Sequence, residues 1–550
     1  MHGIRESDTG GDRLEILKSR YSAKIKGLVH PVEDLPISRK DTSGNHTGTW
    51  RTLEPLFEEG SAPCFLACPT GSSIPEFMAL AGEGRFPEAL QVLRRTNPLP
   101  AVCGRVCPHP CEARCNRNEF DRGLNIRVVE RAVGDYGLEI PHTPEDERGR
   151  DDRVVVVGSG PAGLSAAYFL ARRGVGVDLY ERETLAGGLL RYAIPEYRLP
   201  RQVLDREIEN ILRLGVNFIG DREVRRGDLP ALTQGYDYVF FSPGLRWGRT
   251  PDWNYRGRGL FDGLEVLREI HRGEEPELGS SVAVVGGGNT AFDVARVLLR
   301  LGKDVVIIYR RTLEESPAFE EEIREGLEEG IRVMERSLIT RIEEREGGRL
   351  NLKIRGALEK EGKIVLAGPE SELVVDSVTA CFGQKAEMEV ERTERLVLGG
   401  DFKTGAGTVA QAIGTGRDGA FAILEKLGLM VRHPRAHTRR TVDFRGLNPV
   451  FFKRSERLEP ISRTAHERCL DFDEVVQGLS MEEARAEAGR CFSCGTCTLC
   501  GSCWYFCPDA CVSLKKDWGK RVAFDLDFCK GCGLCAASCP RGCVLMGEGR

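Results

Sequence analysis

The chain has 550 residues, with 78 Lys or Arg against 83 Asp or Glu, so its formal net charge is −5. This length predicts three or four domains, and an acidic chain with scattered basic residues is not expected to bind nucleic acid. No apolar run approaches the roughly 18 residues of a membrane span, and residues 1–13 lack the apolar core of a signal peptide. We therefore expect a cytoplasmic protein with no membrane span, as its twenty cysteines also suggest.

The N-terminal third divides into a polar part and a cysteine-rich part. Residues 1–50 are predicted to form only a polar extension. A cysteine-rich block over 51–142 follows, with helical stretches such as 75–95, and a polar linker precedes residue 154.

A first nucleotide site is predicted where a strand beginning at Val154 runs into a glycine-rich turn and a helix. The turn contains Gly158, Gly160 and Gly163, and the next strand, 177–180, ends at Glu181. A lone G-x-G-x-x-G is weak evidence, but between strand and helix, with an acid about 20 residues on, it is typical of dinucleotide binding. The glycines allow the backbone to approach a pyrophosphate, and Glu181 is expected to accept hydrogen bonds from ribose. The alternative is a glycine-rich turn in an ordinary parallel sheet.

The segment that begins at Val282 repeats this plan. Its three turn positions hold Gly286, Gly288 and Ala291. Its second strand, 305–308, is followed by Tyr309, Arg310 and Arg311 and not by an acid. A carboxylate would repel a 2′-phosphate, whereas guanidinium groups bind phosphate, so NADP(H) is favoured over NAD(H). The alternative is that the two arginines are merely solvated.

Two dinucleotide folds, the second inserted within the first, are the plan of two-nucleotide flavoprotein reductases. We expect an FAD-binding domain over 150–278, an NAD(P)H-binding domain over 279–372, and the return of the first fold over 373–430, in 374–384 and 396–420. In the last segment Asp401 follows a strand and can hydrogen-bond a ribityl chain. Thr408 begins a helix whose start can face a flavin.

The C-terminal tail contains a doubled cysteine motif. After a predicted linker over 431–490, which ends in a capping box at Ser480 to Glu483, residues 491–550 repeat C-x2-C-x2-C-x3-C-Pro. In ferredoxins with two [4Fe–4S] clusters the fourth cysteine of each run serves the other cluster. The two sets are then Cys497, Cys500, Cys503 and Cys539, and Cys529, Cys532, Cys535 and Cys507. A zinc site needs four ligands and not eight in crossed sets, and a disulfide framework needs an oxidising compartment.

Four stretches, 97–115, 187–200, 286–293 and 399–413, resemble the small chain of glutamate synthase and the N-terminal half of dihydropyrimidine dehydrogenase. The resemblance covers about residues 60–430. It implies FAD contacts at Gly158, Gly160, Glu181, Leu189, Arg198 and Asp401, and NADP contacts at Gly288, Asn289, Thr290, Arg310 and Arg311. Further candidates on the same segments are Pro161, Ala162, Gly163, Gly188, Gly400, Thr408, Gly286 and Ala291. No catalytic side chain is expected, because FAD transfers the hydride.

The resemblance also implies two [4Fe–4S] clusters in an N-terminal helical domain. One would be held by Cys68, Cys107, Cys111 and Glu130. The other would take Cys64 and Cys115 plus two cysteines just upstream, but residues 51–63 contain none, so the sequence departs from the family pattern there. Because a similar stretch lies at 483–494, we hypothesise that Cys491 and Cys494 complete this set; alternatively, the cluster is lost. We interpret the remaining thiols as packed side chains: Cys103, Cys381, Cys469, Cys511 and Cys543.

The expected fold class is α/β, with two nested Rossmann-like domains, an N-terminal α-helical iron–sulfur domain and a C-terminal α+β ferredoxin domain. This core with a ferredoxin tail resembles the flavoprotein serving dissimilatory sulfite reductase and the NAD(P)-linked subunits of 2-oxoacid oxidoreductases. The resemblance implies an NAD(P)H:acceptor oxidoreductase subunit with FAD and four [4Fe–4S] clusters, working in a hetero-oligomer with a partner enzyme or ferredoxin. A glutamate synthase small chain proper and a non-catalytic wiring subunit are the alternatives.

Overall fold

The computed structural model describes residues 44, 46–145, 150–245, 247–248, 251, 253–360, 363–386, 389–391, 393–431, 433, 440–515 and 521–548. Most of the predicted extension, residues 1–43 and 45, lies outside the described residues. Within the described ranges, every helix is too short or too polar to cross a bilayer.

Six α-helices form the N-terminal domain: Pro63–Ala67, Ile74–Gly82, Phe86–Arg94, Pro100–Val106, Pro110–Ala113 and Ile126–Gly137. The first five each have a proline at the first or second helical position, where its fixed φ suits the helix and its missing N–H costs nothing. Helices 100–106 and 126–137 touch at Gly104, where a Cβ would lie 2.3 Å from the Cα of Arg131. This close approach brings the end of one helix, at Cys107, beside Glu130 on the other.

The first Rossmann-like sheet is parallel and has five strands. In spatial order they are Leu396–Leu398, Tyr238–Phe241, Arg153–Val157, Gly176–Tyr180 and Asn217–Ile219. Helices on this sheet and its connections are Pro161–Ala171, Leu189–Tyr192, Arg201–Leu212, Leu229–Gly235, Gly400–Thr404 and Val409–Lys426. Val154, Val155 and Val156 are fully buried, as expected of a parallel strand covered on both faces.

The second sheet corrects two predicted domain boundaries. Its parallel strands, in spatial order, are Arg332–Met334, Asp304–Ile308, Ser281–Val285, Ser377–Ala380 and Leu260–Asp262, and its helices are Gly263–His271, Asn289–Arg300 and Glu320–Glu328. Residues 260–271 and 377–380 therefore belong to the second fold, so the boundaries at 278/279 and 372/373 are wrong. The first fold resumes only at Leu396–Leu398. A buried parallel strand has the same apolar pattern in either sheet, and only its ladder partners place it.

Three small sheets complete the two folds and the tail. A three-stranded antiparallel sheet joins the strands Ser337–Glu344, Leu350–Lys360 and Lys363–Val375, and a short pair joins Trp247–Gly248 to Gln384–Lys385. In the tail, Val512–Leu514 pairs with Val522–Phe524, beside the short helices Ser502–Tyr505 and Leu534–Ala537.

The segment 431–490, predicted as a linker, packs in its described residues partly on the helical domain and partly on the second fold, where Val475 is buried in the core. It contains the helices Ala465–Arg468 and Met481–Gly489 and the 3₁₀ turns Phe444–Gly446 and Pro449–Phe451. Val442, Ala484 and Ala488 are buried in the core of the helical domain. The segment is therefore packed on the fold and is not an exposed linker. The capping box at Ser480 and Glu483 is confirmed.

The tail is joined to the N-terminal domain by backbone pairing between residues 47–57 and residues 527–548, called here the clasp. Strand Leu53–Phe57 pairs antiparallel with Val544–Glu548. Just before it, the backbone N–H of Gly48 donates to the carbonyl of Asp527 at 2.8 Å, and the hydroxyl of Thr47 donates to the carbonyl of Phe528 at 2.6 Å. The ferredoxin-like domain and the helical domain are therefore joined through shared backbone hydrogen bonds.

Candidate redox centres

A cleft of about 750 Å³ lies between the two Rossmann-like folds, within the size range typical of cofactor sites. Eleven of the predicted nucleotide contacts line it: Gly158, Gly160, Pro161, Ala162, Glu181, Gly188, Leu189, Thr290, Gly400, Asp401 and Thr408. The wall supplied by the second fold and its connections also includes Arg268, Asp293 and Gln384, which the sequence did not single out. Arg268 had no motif to mark it, whereas Asp293 lies within the GGGNTAFD stretch.

The first glycine turn has the geometry of a phosphate cradle. Gly158 adopts φ +91°, and a Cβ at Gly163 would lie 1.8 Å from the Gly158 carbonyl oxygen, so both positions require glycine. At Gly160 a Cβ would point into open space at the start of helix Pro161–Ala171, where the helix dipole favours an anion. The turn therefore fits the pyrophosphate of a dinucleotide.

Glu181 is held rigidly on the cleft wall directly after the strand Gly176–Tyr180. One of its carboxylate oxygens accepts hydrogen bonds from the N–H and the hydroxyl of Ser159, at 2.8 and 2.7 Å, and the other accepts from the N–H of Glu183 at 3.1 Å. A carboxylate has about four acceptor positions, so capacity for a ribose hydroxyl is left.

Asp401 and Thr408, which the sequence predicts to face a flavin, both line the cleft. Burial raises the pKa of Asp401, and the N–H of Gly407 partly opposes that increase. Thr408 caps the helix Val409–Lys426 in a capping box with Gln411. The N-terminus of this long helix therefore faces the cleft and can stabilise negative charge there.

The second glycine turn is only partly on the cleft. Thr290 lines it, whereas Gly286, Gly288, Asn289 and Ala291 are not among the lining residues described. Gly286 has φ +149° and packs against Cys381, and a Cβ at Gly288 would meet open space at the start of helix Asn289–Arg300. The side-chain oxygen of Asn289 accepts from the N–H of Phe319 at 2.9 Å.

The two arginines predicted to bind a 2′-phosphate lie beyond the end of the strand Asp304–Ile308. Arg310 is exposed. Arg311 donates from Nε to the carboxylate of Glu359 at 3.0 Å, and Glu359 lies on the strand Leu350–Lys360. The hydrogen bond to Glu359 raises the pKa of Arg311.

Arg198, expected as an FAD contact, is not on the described cleft wall. Its guanidinium donates to Asp293 at 2.8 Å and lies 2.7 Å from a carboxylate oxygen of Glu322, both on the second fold. A buried guanidinium must be paired, and these two carboxylates satisfy it between the folds. In this conformation Arg198 therefore joins the two folds, and its contact with FAD stays a prediction.

One N-terminal set brings together Cys68, Cys107, Cys111 and Glu130. Burial raises the pKa of Cys111, and the charges of Cys68 and Cys107 add to that increase. Burial also raises the pKa of Cys107 to about 12, with the carboxylate of Glu130 the next cause. Glu130 is half-buried, desolvation raises its pKa to about 7, and its Oε1 accepts from the side-chain amide of Asn97 at 2.9 Å.

The second N-terminal set combines residues far apart in the chain. Burial raises the pKa of Cys64, and the next causes are the charges of Cys115, Cys494 and Cys491. The amide of Asn116 donates to the sulfur of Cys494 at 3.2 Å. The structure thus places Cys491 and Cys494 beside the two cysteines that lacked partners upstream.

The tail holds the two crossed sets that the doubled motif predicts. Burial raises the pKa of Cys503 to about 12, with further increases from Cys539, Cys497 and Cys500. Burial raises the pKa of Cys535 to about 11, with further increases from Cys507, Cys529 and Cys532.

Cys511 and Cys543, which belong to neither tail set, donate backbone hydrogen bonds to ligand sulfurs. The backbone N–H of Cys511 donates to the sulfur of Cys507 at 3.3 Å, and that of Cys543 donates to the sulfur of Cys539 at 3.2 Å. Hydrogen bonds to ligand sulfurs tune cluster potentials. Cys103, also interpreted as a packed thiol, is buried near Glu130 and Cys107.

The state and the number of the thiols bear on the two competing interpretations. All twenty cysteines are free of disulfides. Among the described residues, no group of three or more Cys, His, Asp or Glu is arranged to hold a single metal ion. The two tail sets together contain eight thiols, whereas one structural zinc takes four ligands. Two clusters with four thiolate ligands each fit these eight cysteines.

The four sets follow one another from the cleft to the tail. Pro69, beside Cys68, packs on helix Val409–Lys426, where a Cβ at Gly414 would lie 2.6 Å from the Pro69 carbonyl oxygen. Cys111 of the first set is close enough to Cys64 of the second for their charges to interact. Cys494 of the second set is three residues from Cys497 of the third.

Two dinucleotide folds around one cleft, with cysteine sets beside them, define an iron–sulfur flavoprotein that uses a pyridine nucleotide. Three families match: pyridine nucleotide-disulphide oxidoreductase over residues 152–423, dihydropyrimidine dehydrogenase domain II with its 4Fe–4S cluster over 58–140, and the 4Fe–4S binding domain over 522–545.

Curated relatives carry the assignment further. The NADP(+)-dependent formate dehydrogenase subunit beta of Moorella thermoacetica is 32% identical, over 79% of this chain and 70% of that protein. The glutamate synthase [NADPH] small chain of Escherichia coli K12 is 31% identical, over 67% of this chain and 89% of that protein. The chain therefore belongs to the glutamate synthase small-chain family of FAD and iron–sulfur oxidoreductases. The predicted resemblance and fold class are confirmed.

A third relative is longer than the part matched. The NADPH-Fe(3+) oxidoreductase subunit beta of Geobacter sulfurreducens DL-1 / KN400 is 36% identical over 351 residues, which are 61% of this chain and 52% of that protein. The chain thus matches about half the length of this relative. Two of the three relatives are named as beta subunits of larger enzymes.

Proposed function

We propose that the protein is an NAD(P)H:acceptor oxidoreductase subunit that takes electrons in pairs at the cleft and delivers them singly, through four [4Fe–4S] clusters, to a partner protein. The observation that carries this proposal is the set of Cys64, Cys115, Cys491 and Cys494. Because it takes two ligands from the N-terminal domain and two from the segment before the tail, it links the cleft side of the molecule to the ferredoxin-like domain.

The chain's own groups bind and orient the reactants. Gly158 and Gly160 would present their backbone to a pyrophosphate, Glu181 would accept hydrogen bonds from a ribose, and Asp401 would hydrogen-bond a ribityl hydroxyl. When bound, FAD would supply the conversion between two-electron and one-electron transfer. The start of helix Val409–Lys426 would stabilise negative charge on the bound group, and apolar side chains such as Leu189 and Leu264 would exclude water from the cleft. No side chain is required to act as acid, base or nucleophile.

NADPH is the proposed physiological nucleotide. Arg310 and Arg311 follow the strand Asp304–Ile308 of the second fold, where a 2′-phosphate would lie, and three relatives carry NADP or NADPH in their names. The proposed location is the cytoplasm, because thiol ligands of this kind persist in a reducing compartment.

The proposed partner is a separate redox protein within a hetero-oligomer. Two relatives are named as beta subunits, which supports a multi-subunit assembly. A glutamate synthase small chain proper is less well supported, because this chain has an additional ferredoxin-like tail. The clasp makes that tail part of the fold. A non-catalytic wiring subunit would have no use for the ordered phosphate cradle at Gly158 and Gly160.

The decisive test combines cofactor analysis with turnover. Anaerobically purified protein is expected to contain one FAD and about sixteen iron atoms per chain, from four cubane clusters. It should also oxidise NADPH with a flavin-reactive dye as acceptor. Iron near twelve atoms would remove the shared set, and the absence of dye reduction in FAD-loaded protein would refute the proposed oxidoreductase function.

A further inference from the structure

The tail carries a contiguous group of exposed apolar side chains, called here the aromatic patch: Val450, Phe451, Trp504, Tyr505 and Phe506. The ring centroids of Phe451 and Phe506 are 6.4 Å apart, and those of Tyr505 and Phe506 are 5.3 Å apart. Val450 is 87% exposed and Tyr505 is 71% exposed. Contiguous exposed apolar surface on a folded protein marks an interaction site, and aromatic side chains are enriched in protein interfaces.

The patch lies directly beside the ligands of both tail sets. Its three rings at 504–506 stand between Cys503 and Cys507, which belong to different sets. The remainder of the patch is fixed on the same domain by Asn448, whose side-chain amide donates to the carbonyl of Ala537 at 2.7 Å. A partner bound at the patch would therefore contact side chains that adjoin cysteine ligands of both tail sets.

The segment of residues 443–456, which brings Val450 and Phe451 to the patch, carries a net charge of +1. Arg445, Lys453 and Arg454 are exposed on it. Its exposed carboxylates are Asp443, which caps a turn, and Glu456. Apolar surface with a basic margin is complementary to a partner surface whose apolar centre is bordered by carboxylates.

We infer that the aromatic patch is the docking surface for an acidic one-electron redox protein, an inference that rests on the proposed function. In each transfer a tail cluster is oxidised by one electron and the acceptor centre of the partner is reduced by one. No bond is formed or broken. Trp, Tyr and Phe supply the apolar contact, while the basic margin selects and steers the partner.

The test uses the full chain, loaded with FAD and clusters, and two acceptors. NADPH-driven reduction is followed with a purified acidic 2[4Fe–4S] ferredoxin of the bacterial type and, separately, with dichlorophenolindophenol, which accepts electrons from flavin. Val450→Glu is expected to lower kcat/KM for the ferredoxin about tenfold, as loss of an interface anchor does, and to leave dye reduction unchanged. Val450→Lys should keep the ferredoxin rate or raise it.

Matched controls carry the same new charge at exposed apolar positions elsewhere. Met430→Glu, 90% exposed on the FAD-binding domain, is the control for Val450→Glu. A second patch variant, Tyr505→Glu, is also expected to lower the ferredoxin rate, and Leu470→Glu, 66% exposed, is its control. Both controls should retain the ferredoxin rate. EPR spectra of the two tail clusters verify that Tyr505→Glu leaves them intact, and Val450→Glu gives an independent answer because it lies outside the cysteine motif.

Several outcomes would overturn the docking surface. These are an unchanged or faster ferredoxin rate in Val450→Glu, an equal loss in the controls, or a wild-type protein that reduces the dye but not the ferredoxin. In each case the chemistry of the cleft stands. Failure to reduce the dye as well would overturn the proposed function itself.

Discussion

The nucleotide cleft and the row of cysteine sets are assembled in different ways. Each glycine turn of the cleft lies between a strand and a helix that adjoin in sequence, so its geometry is set within a short segment. The set of Cys64, Cys115, Cys491 and Cys494 instead joins residues separated by more than half of the chain. Closing such a long loop costs entropy, and binding energy of a cluster at the closed site offsets it. Nucleotide binding and dye reduction should therefore survive changes that break the row of clusters.

The largest expected effect comes from removing the tail. A chain truncated after Thr496 keeps Cys491 and Cys494 and every residue of the cleft. We expect it to bind FAD and reduce a flavin-reactive dye, but to lose electron delivery to a ferredoxin, because both tail sets are gone. Stopped-flow reduction of the two acceptors gives both rates. A truncated chain that reduces ferredoxin at the full rate would show that electrons leave before the tail.

Replacing one ligand of the set formed by Cys64, Cys115, Cys491 and Cys494 should remove that cluster alone. In Cys491→Ser we expect iron to fall from about sixteen to about twelve atoms and one EPR signal to disappear, because a cubane normally takes four ligands. The signals of the tail clusters should remain. Cys469→Ser is the control, since Cys469 belongs to none of the four sets. Loss of tail signals alone in Cys491→Ser would contradict the shared set.

The third change affects only the cleft side. Replacing Arg310 and Arg311 together with serine should weaken NADPH binding about ten- to a hundredfold, because charge-assisted phosphate hydrogen bonds are lost. NADH binding and all EPR signals should not change. Titration of the protein with each nucleotide measures the two affinities. An unaltered preference would mean that both arginines only face solvent.

The smallest effect concerns the partner of Arg311. Glu359→Gln should tighten NADPH binding about twofold, because the exposed carboxylate that pairs with Arg311 at 3.0 Å no longer competes with a phosphate. Glu372→Gln on the neighbouring strand, where Glu372 pairs with Lys353 and Arg345, is the control and should leave the affinity unchanged. Weaker NADPH binding in Glu359→Gln would indicate that Glu359 positions Arg311 for the nucleotide.

Sequence reasoning succeeded where the signal was local. The strand predicted from Val154 to Val157 is Arg153–Val157, and the helix that Thr408 was expected to begin is Val409–Lys426. Such elements follow from apolar runs, glycines and caps within a few residues. Counting unpaired cysteines at each end of the chain was enough to bring Cys491 and Cys494 to Cys64 and Cys115 as a hypothesis.

It failed where long-range pairing decided the outcome. The strand Ser377–Ala380 was assigned to the wrong fold, because a buried parallel strand does not encode its neighbours. The ion pair of Arg198 with Asp293, between the two folds, also had no signal in the sequence. The pairing of Leu53–Phe57 with Val544–Glu548 could not be predicted, because the backbone N–H and C=O groups of an edge strand can pair with any other strand.

The separation of Cys115 and Cys491 in the sequence also determines the order in which the ligand sets become complete during synthesis. During synthesis, Cys68, Cys107, Cys111 and Glu130 all emerge early and can receive a cluster while the ribosome is still translating. Cys64 and Cys115 must wait until Cys494 has been made, which at roughly 5–20 residues per second takes on the order of tens of seconds. On the proposed function, the cluster of this set can be inserted only after Cys494 has been made, and Cys64 and Cys115 remain without it in the nascent chain until then.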